Sequence, residues 1–391
     1  MSSESTPESI AALAADWCGR GSHVEFETNE TVPLREERFL GYGVNGGVWE
    51  TACQGIKLAW KRRYCRGLIG PQERKEIEVL KKLSHHHIIQ LVGTYSHRQF
   101  LGLLLWPVAV CDLGVFFEDF ELFTFKYLEG SESEKLGSHF QGMLDRFDQL
   151  SIGTTRYGNR SISLLLQCFG CLAQAVAYLH NERIRHKDLK PSNILLYHDG
   201  LRLTDFGTST DFSALTVSVT DNGERGTPKY FAPEVAAFQP NGRAADIFSL
   251  GDKWCGLIAG VEPLAVHLLA EIKLMLAIEP EKRPAAEQLV EHLTVITCFK
   301  PSRRPSTRGT AVLFGPCCTK AITTLSSAAV AVDGLKKELE SVTKALELAR
   351  RDAKLARDDA NALRTQNAEL VNKLAQTRTY ADNLGSAFTE G

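Results

Sequence analysis

The chain has 391 residues, and 45 Lys and Arg against 47 Asp and Glu give a formal net charge of −2. That balance excludes a general electrostatic pull toward nucleic acid or an anionic membrane surface, while the length allows one large domain plus an additional element. Ten cysteines scattered through a chain this long fit a reducing compartment rather than a disulfide framework. The polar, acidic stretch 1–10 has no secretory pattern, so a cytoplasmic setting, or a nuclear one, is expected.

In chain order, residues 1–33 hold one short amphipathic pattern, Ile10 to Trp17, which either packs on the domain that begins at residue 34 or stands apart. Next comes Gly41-Tyr42-Gly43-Val44-Asn45-Gly46-Gly47-Val48, a Gly-x-Gly-x-x-Gly-x-Val pattern between two strand-like runs. Dinucleotide-binding folds share such glycines, but they require a helix directly afterwards. Here Trp49 to Trp60 reads as further strand with a turn at Gln54-Gly55. Glycines at these places let a hairpin lie close over phosphates without a side-chain clash. Residues 71–83 carry Ile77, Leu80 and Leu83 in a charged background, an amphipathic helix. His85-His86-His87 stands next at a helix-to-strand connection and is read as structural.

Residues 100–117 are apolar apart from Asp112, with Pro107 at the centre. Residues 120–160 read as loops around one amphipathic piece, 136–150, and the phenylalanines at 116, 117, 120, 123 and 125 read as core. Leu165, Cys168, Leu172 and Leu179 then repeat at helical spacing. That repeat accounts for Cys168-x-x-Cys171 by packing, and no second cysteine pair occurs at zinc-site spacing.

The most informative stretch is His186-Lys187-Asp188-Leu189-Lys190-Pro191-Ser192-Asn193, with Thr204-Asp205-Phe206-Gly207 one hairpin later. Two carboxylates, a lysine and an amide at these offsets suit phosphoryl transfer from a metal-bound nucleotide to a hydroxyl. Asp188 can accept or orient the hydroxyl proton, Lys190 can neutralise charge on the transferred group, and Asn193 and Asp205 offer oxygens to Mg²⁺.

These motifs together resemble the eukaryotic protein kinase superfamily, serine/threonine type. Further matches are Leu58-Ala59-Trp60-Lys61, Gly226-Thr227-Pro228 running to Ala232-Pro233-Glu234, Ala244-Ala245-Asp246 and Arg283. The resemblance implies an α+β, two-lobed protein kinase fold with a small β-rich N-lobe and a larger helical C-lobe. It implies ATP and Mg²⁺ as cofactors, with Asp188, Lys190, Asn193 and Asp205 as the catalytic set and Asn193 and Asp205 on the metal. Gly41, Gly43, Gly46, Val48, Ala59, Lys61, Glu76, Asp112 and Leu195 are the implied nucleotide contacts, Val48 and Ala59 roofing the adenine.

On this resemblance Lys61 pairs with Glu76, with Glu73 and Glu78 as the alternatives one helical step away. Asp112 meets the ribose or caps the next helix, and Trp106, within one residue, is the gatekeeper. Thr227 is expected beside Asp188 and Lys190, Arg283 opposite Glu234, and Asp246 beneath the catalytic loop. The run 100–117 becomes a buried strand and hinge, not a membrane span. Its Pro-Val-Ala sequence resembles divergent kinases of filamentous fungi.

The chain also departs from the family. Lys187 stands in place of the usual arginine, which grips an activation-segment phosphate with a planar fork that lysine lacks, although Ser218 and Thr220 remain candidate phosphorylation sites. Asp246 and Arg283 are only 37 residues apart, so part of the substrate-docking helical region is expected to be reduced. The expected organisation is an N-terminal extension over 1–33, a kinase domain over 34–298 with an insert at 118–160, a flexible basic linker over 299–331 holding a free Cys317-Cys318 pair, and a coiled coil over 332–385.

The last segment repeats small and apolar residues at heptad a and d positions, from Val332 and Leu335 to Ala381 and Leu384. Asn367 at an a position favours a parallel homodimer, and a single charged helix is the simpler alternative. The function expected is an ATP-dependent kinase of Ser/Thr hydroxyls on a protein substrate, dimerised through its tail. The alternative is a pseudokinase scaffold that binds nucleotide and presents the coiled coil to partners.

Overall fold

A computed structural model describes residues 6–43, 46–67, 69–129, 137–152, 159–213, 226–258, 265–298 and 313–318. The chain divides into two units, Met1–Leu325 and Ser326–Gly391. The heptad segment lies outside the described residues, as do Ser218 and Thr220.

The first unit begins with α1 (Pro7–Ala15), which starts where sequence rules place a helix start: the Thr6 hydroxyl accepts from the Ser9 N–H, Pro7 comes next and Glu8 lies in the first turn. The strands β1 (His23–Phe26), β2 (Phe39–Gly43), β3 (Gly46–Cys53), β4 (Ile56–Tyr64), β5 (Gln90–His97) and β6 (Phe100–Trp106) form one sheet in the order β1-β5-β6-β4-β3-β2. The β3–β4 hairpin turns at Gln54 and Gly55, both in the left-handed region with φ of 50° and 80°. Between β4 and β5 runs α2 (Pro71–Lys82). Glu73 accepts from the Gly70 N–H at 2.9 Å at its start, and Lys81 and Lys82 complement the dipole at its end.

Strand alternation gives this sheet two different faces. Leu58 and Trp60 of β4 and Leu104 of β6 point to one face, where they pack with Ile10, Leu13, Trp17, Val24 and Tyr95. Ala59, Leu101, Leu103 and Leu105 point to the other and join the main core. Ile10, Leu13 and Trp17 are each only 1% exposed, so the N-terminal pattern is part of the small lobe. β1 adds to the same edge, running parallel to β5. The N-terminal segment therefore covers one face of the sheet with α1 and Trp17 and extends its edge with β1.

β7 (Cys111–Asp112) leads directly into α3 (Leu113–Glu129), and α4 (Gly137–Gln149) packs back on it. The loops expected over 120–160 are thus shorter at their start: α3 continues to Glu129 because Phe116 is fully buried and Phe117 and Phe123 pack on the core. The Arg146 guanidinium donates to both carboxylate oxygens of Asp119, at 2.7 and 2.6 Å, and locks α4 to α3.

The long α5 (Asn159–Asn181) comes next, with Cys168 and Leu172 buried at helical spacing. β8 (Ile184–Arg185), β9 (Ile194–Tyr197), β10 (Gly200–Leu203) and β11 (Thr210–Asp211) frame the loops below the cleft. Among the described residues, the helices that follow are α6 (Pro233–Ala236), α7 (Ala244–Ile258), α8 (Ala265–Met275) and α9 (Ala286–Cys298). Only residues 259–264 separate α7 from α8, which gives the short Asp246–Arg283 interval a physical form.

The expected flexible linker over 299–331 needs correction at 313–318. Leu313 and Phe314 are fully buried and Cys318 is 4% exposed, because this segment packs onto α5. No helix among the described residues is long and apolar enough to cross a membrane.

Candidate active site

The upper half of the cleft is held by a buried lysine. Lys61 sits on the cleft face of β4, and its Nζ donates to Glu76 Oε1 at 2.7 Å and Oε2 at 2.9 Å, and to Asp205 Oδ1 at 2.8 Å. Glu73 is engaged by Gly70 and Glu78 by Lys81, so Glu76 alone among the three faces Lys61. Burial by itself would weaken the charge on Lys61, but Glu76 and Asp205 outweigh it and hold the ammonium well above the usual lysine range. Asp205 adopts a left-handed backbone, φ 63°, that turns its carboxylate into the cleft. Burial pushes its pKa up, and the Lys61 charge and hydrogen bond bring it below the normal value.

Phe206, fully buried, anchors this turn in the same core as Leu80, with its ring 4.8 Å from the His186 ring.

The lower half is a loop fixed from beneath. Asp246, on α7 and 2% exposed, accepts from the backbone N–H of His186 at 3.0 Å and of Lys187 at 2.8 Å, with His180 Nε2 at 3.1 Å. Burial would raise its pKa, and the His180 hydrogen bond leads the contributions that lower it. The loop thereby presents Asp188, which is 8% exposed. Asn193 Nδ2 donates to the Asp188 carbonyl at 2.9 Å and to Oδ2 at 3.1 Å, and Lys190 Nζ reaches the same Oδ2 at 2.6 Å.

Thr227 completes the group: its N–H donates to Asp188 Oδ1 at 2.7 Å, and its hydroxyl accepts from Lys190 at 2.8 Å. Gly226 must lack a side chain here, since a Cβ would fall 2.4 Å from the Lys187 carbonyl and 2.6 Å from Asp188 Oδ1. Burial raises the Asp188 pKa, but the Lys190 and Thr227 hydrogen bonds prevail and keep it below the ordinary carboxylate value. Arg283 clamps Glu234 with bonds of 2.6 and 2.8 Å at the base of this segment.

Between the halves lies a cavity of about 410 Å³ lined by Gly41, Val48, Ala59, Lys61, Asp112, Asn193, Leu195 and Asp205, all expected nucleotide or metal contacts. Gly43 and Gly46 face each other across the β2–β3 hairpin, while Glu76, Asp188 and Lys190 stand behind or below the cavity lining. Asp112 Oδ1 accepts from the N–H groups of Gly114 and Val115, at 2.8 and 3.0 Å. It therefore caps α3 while still bordering the cavity.

The gatekeeper expectation shifts by one residue. Leu105 lines the cavity, whereas Trp106 joins Leu104 on the opposite face with the α1 core. The sequence reading also missed Arg146, which borders the cavity from α4. The signal is the buried Asp119 that holds it, and no local spacing joins those two residues.

With a carboxylate and an amide at the polar end, the cavity offers hard oxygen donors of the kind Mg²⁺ takes. Asn193 commits its Nδ2 to Asp188, so its amide oxygen is the donor atom left for a cation.

Known proteins are similar to this chain over part of its length. A calcium/calmodulin-dependent protein kinase type 1 of Caenorhabditis elegans is 30% identical over 205 residues, 51% of this chain and 47% of that protein. A probable myosin light chain kinase of Dictyostelium discoideum is 27% identical over 270 residues, 66% of this chain and 73% of its own length. The human death-associated protein kinase 2 is 28% identical over 219 residues, 55% and 48% respectively. The chain thus spans about half the length of several relatives it matches. The protein kinase domain matches residues 34–306, the stretch that supplies every cleft residue described above, and the chain belongs to the protein kinase family.

Proposed function

We propose that the protein is an active serine/threonine protein kinase that transfers the γ-phosphoryl group of ATP to Ser or Thr hydroxyls. The observation that carries this reading is the simultaneous assembly of two charge clusters on one cavity: Lys61 with Glu76 and Asp205, and Asp188 with Lys190, Asn193 and Thr227. Each is partly or wholly withdrawn from solvent and mutually satisfied, an arrangement whose desolvation cost a fold without use for it would not need to carry.

In this reading Lys61 holds the nucleotide phosphates, and Asn193 and Asp205 hold Mg²⁺. The ion would supply charge neutralisation on the phosphates. Asp188 orients and deprotonates the acceptor hydroxyl. Its depressed pKa keeps it ionised at neutral pH, and Lys190 stands 2.6 Å away to neutralise charge that develops on the transferred group. Thr227, bonded to both, forms the seat for a short Ser or Thr side chain. Val48, Ala59, Leu105 and Leu195 supply apolar surface for a purine.

The scaffold alternative draws support from the short α7–α8 connection, which reduces the region used for substrate docking. Dimerisation through the heptad segment belongs to the same proposal. A dimer raises the local concentration of one activation segment at its neighbour's site. A cytoplasmic or nuclear setting belongs to the same proposal and rests on ten cysteines scattered through a long chain.

The test is autophosphorylation with Mg-ATP, and phosphorylation of generic Ser/Thr peptides, by the full chain, by Asp205→Ala and by a chain ending at Leu325. Incorporation that disappears in Asp205→Ala supports the kinase, and a loss of autophosphorylation alone on truncation supports the tail. If ATP raises the melting temperature of the full chain yet neither acceptor is labelled, the scaffold reading takes its place.

A further inference from the structure

Three parts of the chain that the cleft does not use converge on one point. His87 lies on the connection into β5, Cys171 on the middle of α5, and Cys317 and Cys318 on the short turn at 316–318. Their ligand atoms, one imidazole nitrogen and three sulfurs, all lie within 4.8 Å of one another. We propose that His87, Cys171, Cys317 and Cys318 bind one Zn²⁺ ion, which fastens the segment after the C-lobe to the body of the kinase domain.

The distances are those of a tetrahedron. With Zn–S near 2.3 Å and Zn–N near 2.0 Å, tetrahedral coordination separates two sulfurs by about 3.8 Å and a sulfur from a nitrogen by about 3.5 Å. Cys171 Sγ lies 3.8 Å from Cys317 Sγ and 3.8 Å from Cys318 Sγ, and the last two are 3.9 Å apart. His87 Nε2 is 3.6 Å from Cys317 Sγ. It is 3.0 Å from Cys318 Sγ, the one edge that must lengthen, by about half an ångström, to admit the ion. A disulfide needs sulfurs about 2.05 Å apart, so these edges belong to thiols that share a centre and not to a bond between any two of them.

The surroundings prepare the ligands. His87 Nδ1 is 2.8 Å from the Leu201 carbonyl, a contact only an Nδ1–H can make, and this leaves the Nε2 lone pair directed at the sulfurs. The Gly315 N–H donates to Cys171 Sγ at 3.2 Å, as backbone amides do to metal-bound thiolates. His87, Cys171 and Cys318 are 1%, 2% and 4% exposed and only Cys317 reaches the surface, so three of the four ligands are held inside the protein, as suits a structural ion. On binding, the three thiols give up their protons to solvent, and three thiolates with one neutral imidazole hold the dication.

The segment is also seated independently of any ion. The Gly170 N–H donates to the Leu313 carbonyl at 2.8 Å, and the Phe314 ring occupies the space where a Cβ on Gly170 would fall, 2.2 Å away. Linear sequence hid the site because its ligands are 84 and 146 residues apart, and the pair in Cys168-x-x-Cys171 divides: Cys168 packs in the core, and only Cys171 faces the cluster.

The test begins with elemental analysis of the full chain purified without chelators from zinc-supplemented cells. One zinc per chain is expected, and near none in Cys317→Ser/Cys318→Ser, whose changes lie on the docked turn outside the helical core. Cys65→Ser, a buried cysteine away from the cluster, should keep its zinc. Replacement by Co²⁺ should give the intense visible bands and sulfur-to-cobalt charge transfer of a tetrahedral thiolate site in the full chain, and neither in the double variant. A metal-free full chain that also shows no cobalt spectrum, zinc retained in the double variant, another metal in zinc's place, or a Cys171 disulfide found by mass spectrometry of unreduced protein would each overturn the proposal.

Discussion

Lys190 offers the sharpest test of the cleft chemistry. Its ammonium bridges Asp188 Oδ2 at 2.6 Å and Thr227 Oγ1 at 2.8 Å, so Lys190→Ala removes a charge-assisted hydrogen bond from each. Two unit charges at that separation attract by at most about 6 kcal/mol at an effective dielectric of 20. The Lys190 side chain is 18% exposed, so solvent screens the pair and both ions were desolvated to form it. The net contribution falls to that of a hydrogen bond between charged groups, about 1.5–3 kcal/mol, which corresponds to roughly 10- to 150-fold in rate.

A pH effect accompanies the loss. Asp188 has its pKa depressed, with the Lys190 hydrogen bond the largest of the contributions that oppose its burial. A depressed carboxylate acts above its folded pKa and fails as pH falls through it. Without Lys190 that pKa rises, and the acid limb of the pH–kcat profile moves to higher pH. Steady-state peptide phosphorylation across the acid range, on the wild type and Lys190→Ala, reads both effects. A kcat within threefold of wild type with an unmoved acid limb would refute the assignment of Lys190 to the Asp188 charge.

The same geometry carries other expectations. Glu76→Gln removes the negative charge that accepts twice from Lys61, and kcat/KM for ATP should fall about 10- to 150-fold; an unaltered ATP dependence would mean that Glu76 does not position Lys61. Arg283 is fully buried and donates to both Glu234 oxygens and to the carbonyls of Ala277, Ala244 and Ile278, so Arg283→Ala should lower stability by about 3–5 kcal/mol in urea unfolding. A loss under about 1 kcal/mol would show that water replaces the guanidinium. Trp17→Ala should cost about 3–5 kcal/mol and open the N-terminal segment to protease, because Trp17 is 1% exposed against Phe26 and Tyr95. An unchanged midpoint and cleavage pattern would make residues 7–17 a passive extension.

The cleft was largely legible in the linear order of residues. Asp188, Lys190 and Asn193 fall within one short loop, and Asp205 lies one hairpin later, so chemistry that needs them together must write them at fixed local offsets. The helix holding Glu76 was equally plain, because its proline start, acidic first turn and apolar spacing are local properties of 71–83. Boundaries failed where a neighbour decides them. Trp106 and Leu105 are adjacent in a wholly apolar strand, and only the placement of α1 on one sheet face shows which of the two meets the cavity. The joining of α4 to α3 through Arg146 and Asp119 likewise spans 27 residues and is recorded by no local spacing.

By itself, then, the sequence determined the offsets within the catalytic loop and, through its resemblance to protein kinases, pointed to the kinase fold and to the pairing of Lys61 with Glu76. Tertiary structure alone decided that residues 7–26 complete the small lobe, that α4 brings Arg146 to the cavity rim, and that the turn at 316–318 docks beside α5. These contacts join residues tens to hundreds of positions apart and are selected by shape, burial and hydrogen-bond completion. Such properties exist only once the chain has closed on itself, which is why four thiol and imidazole groups from His87 to Cys318 meet at one point with no motif to announce them.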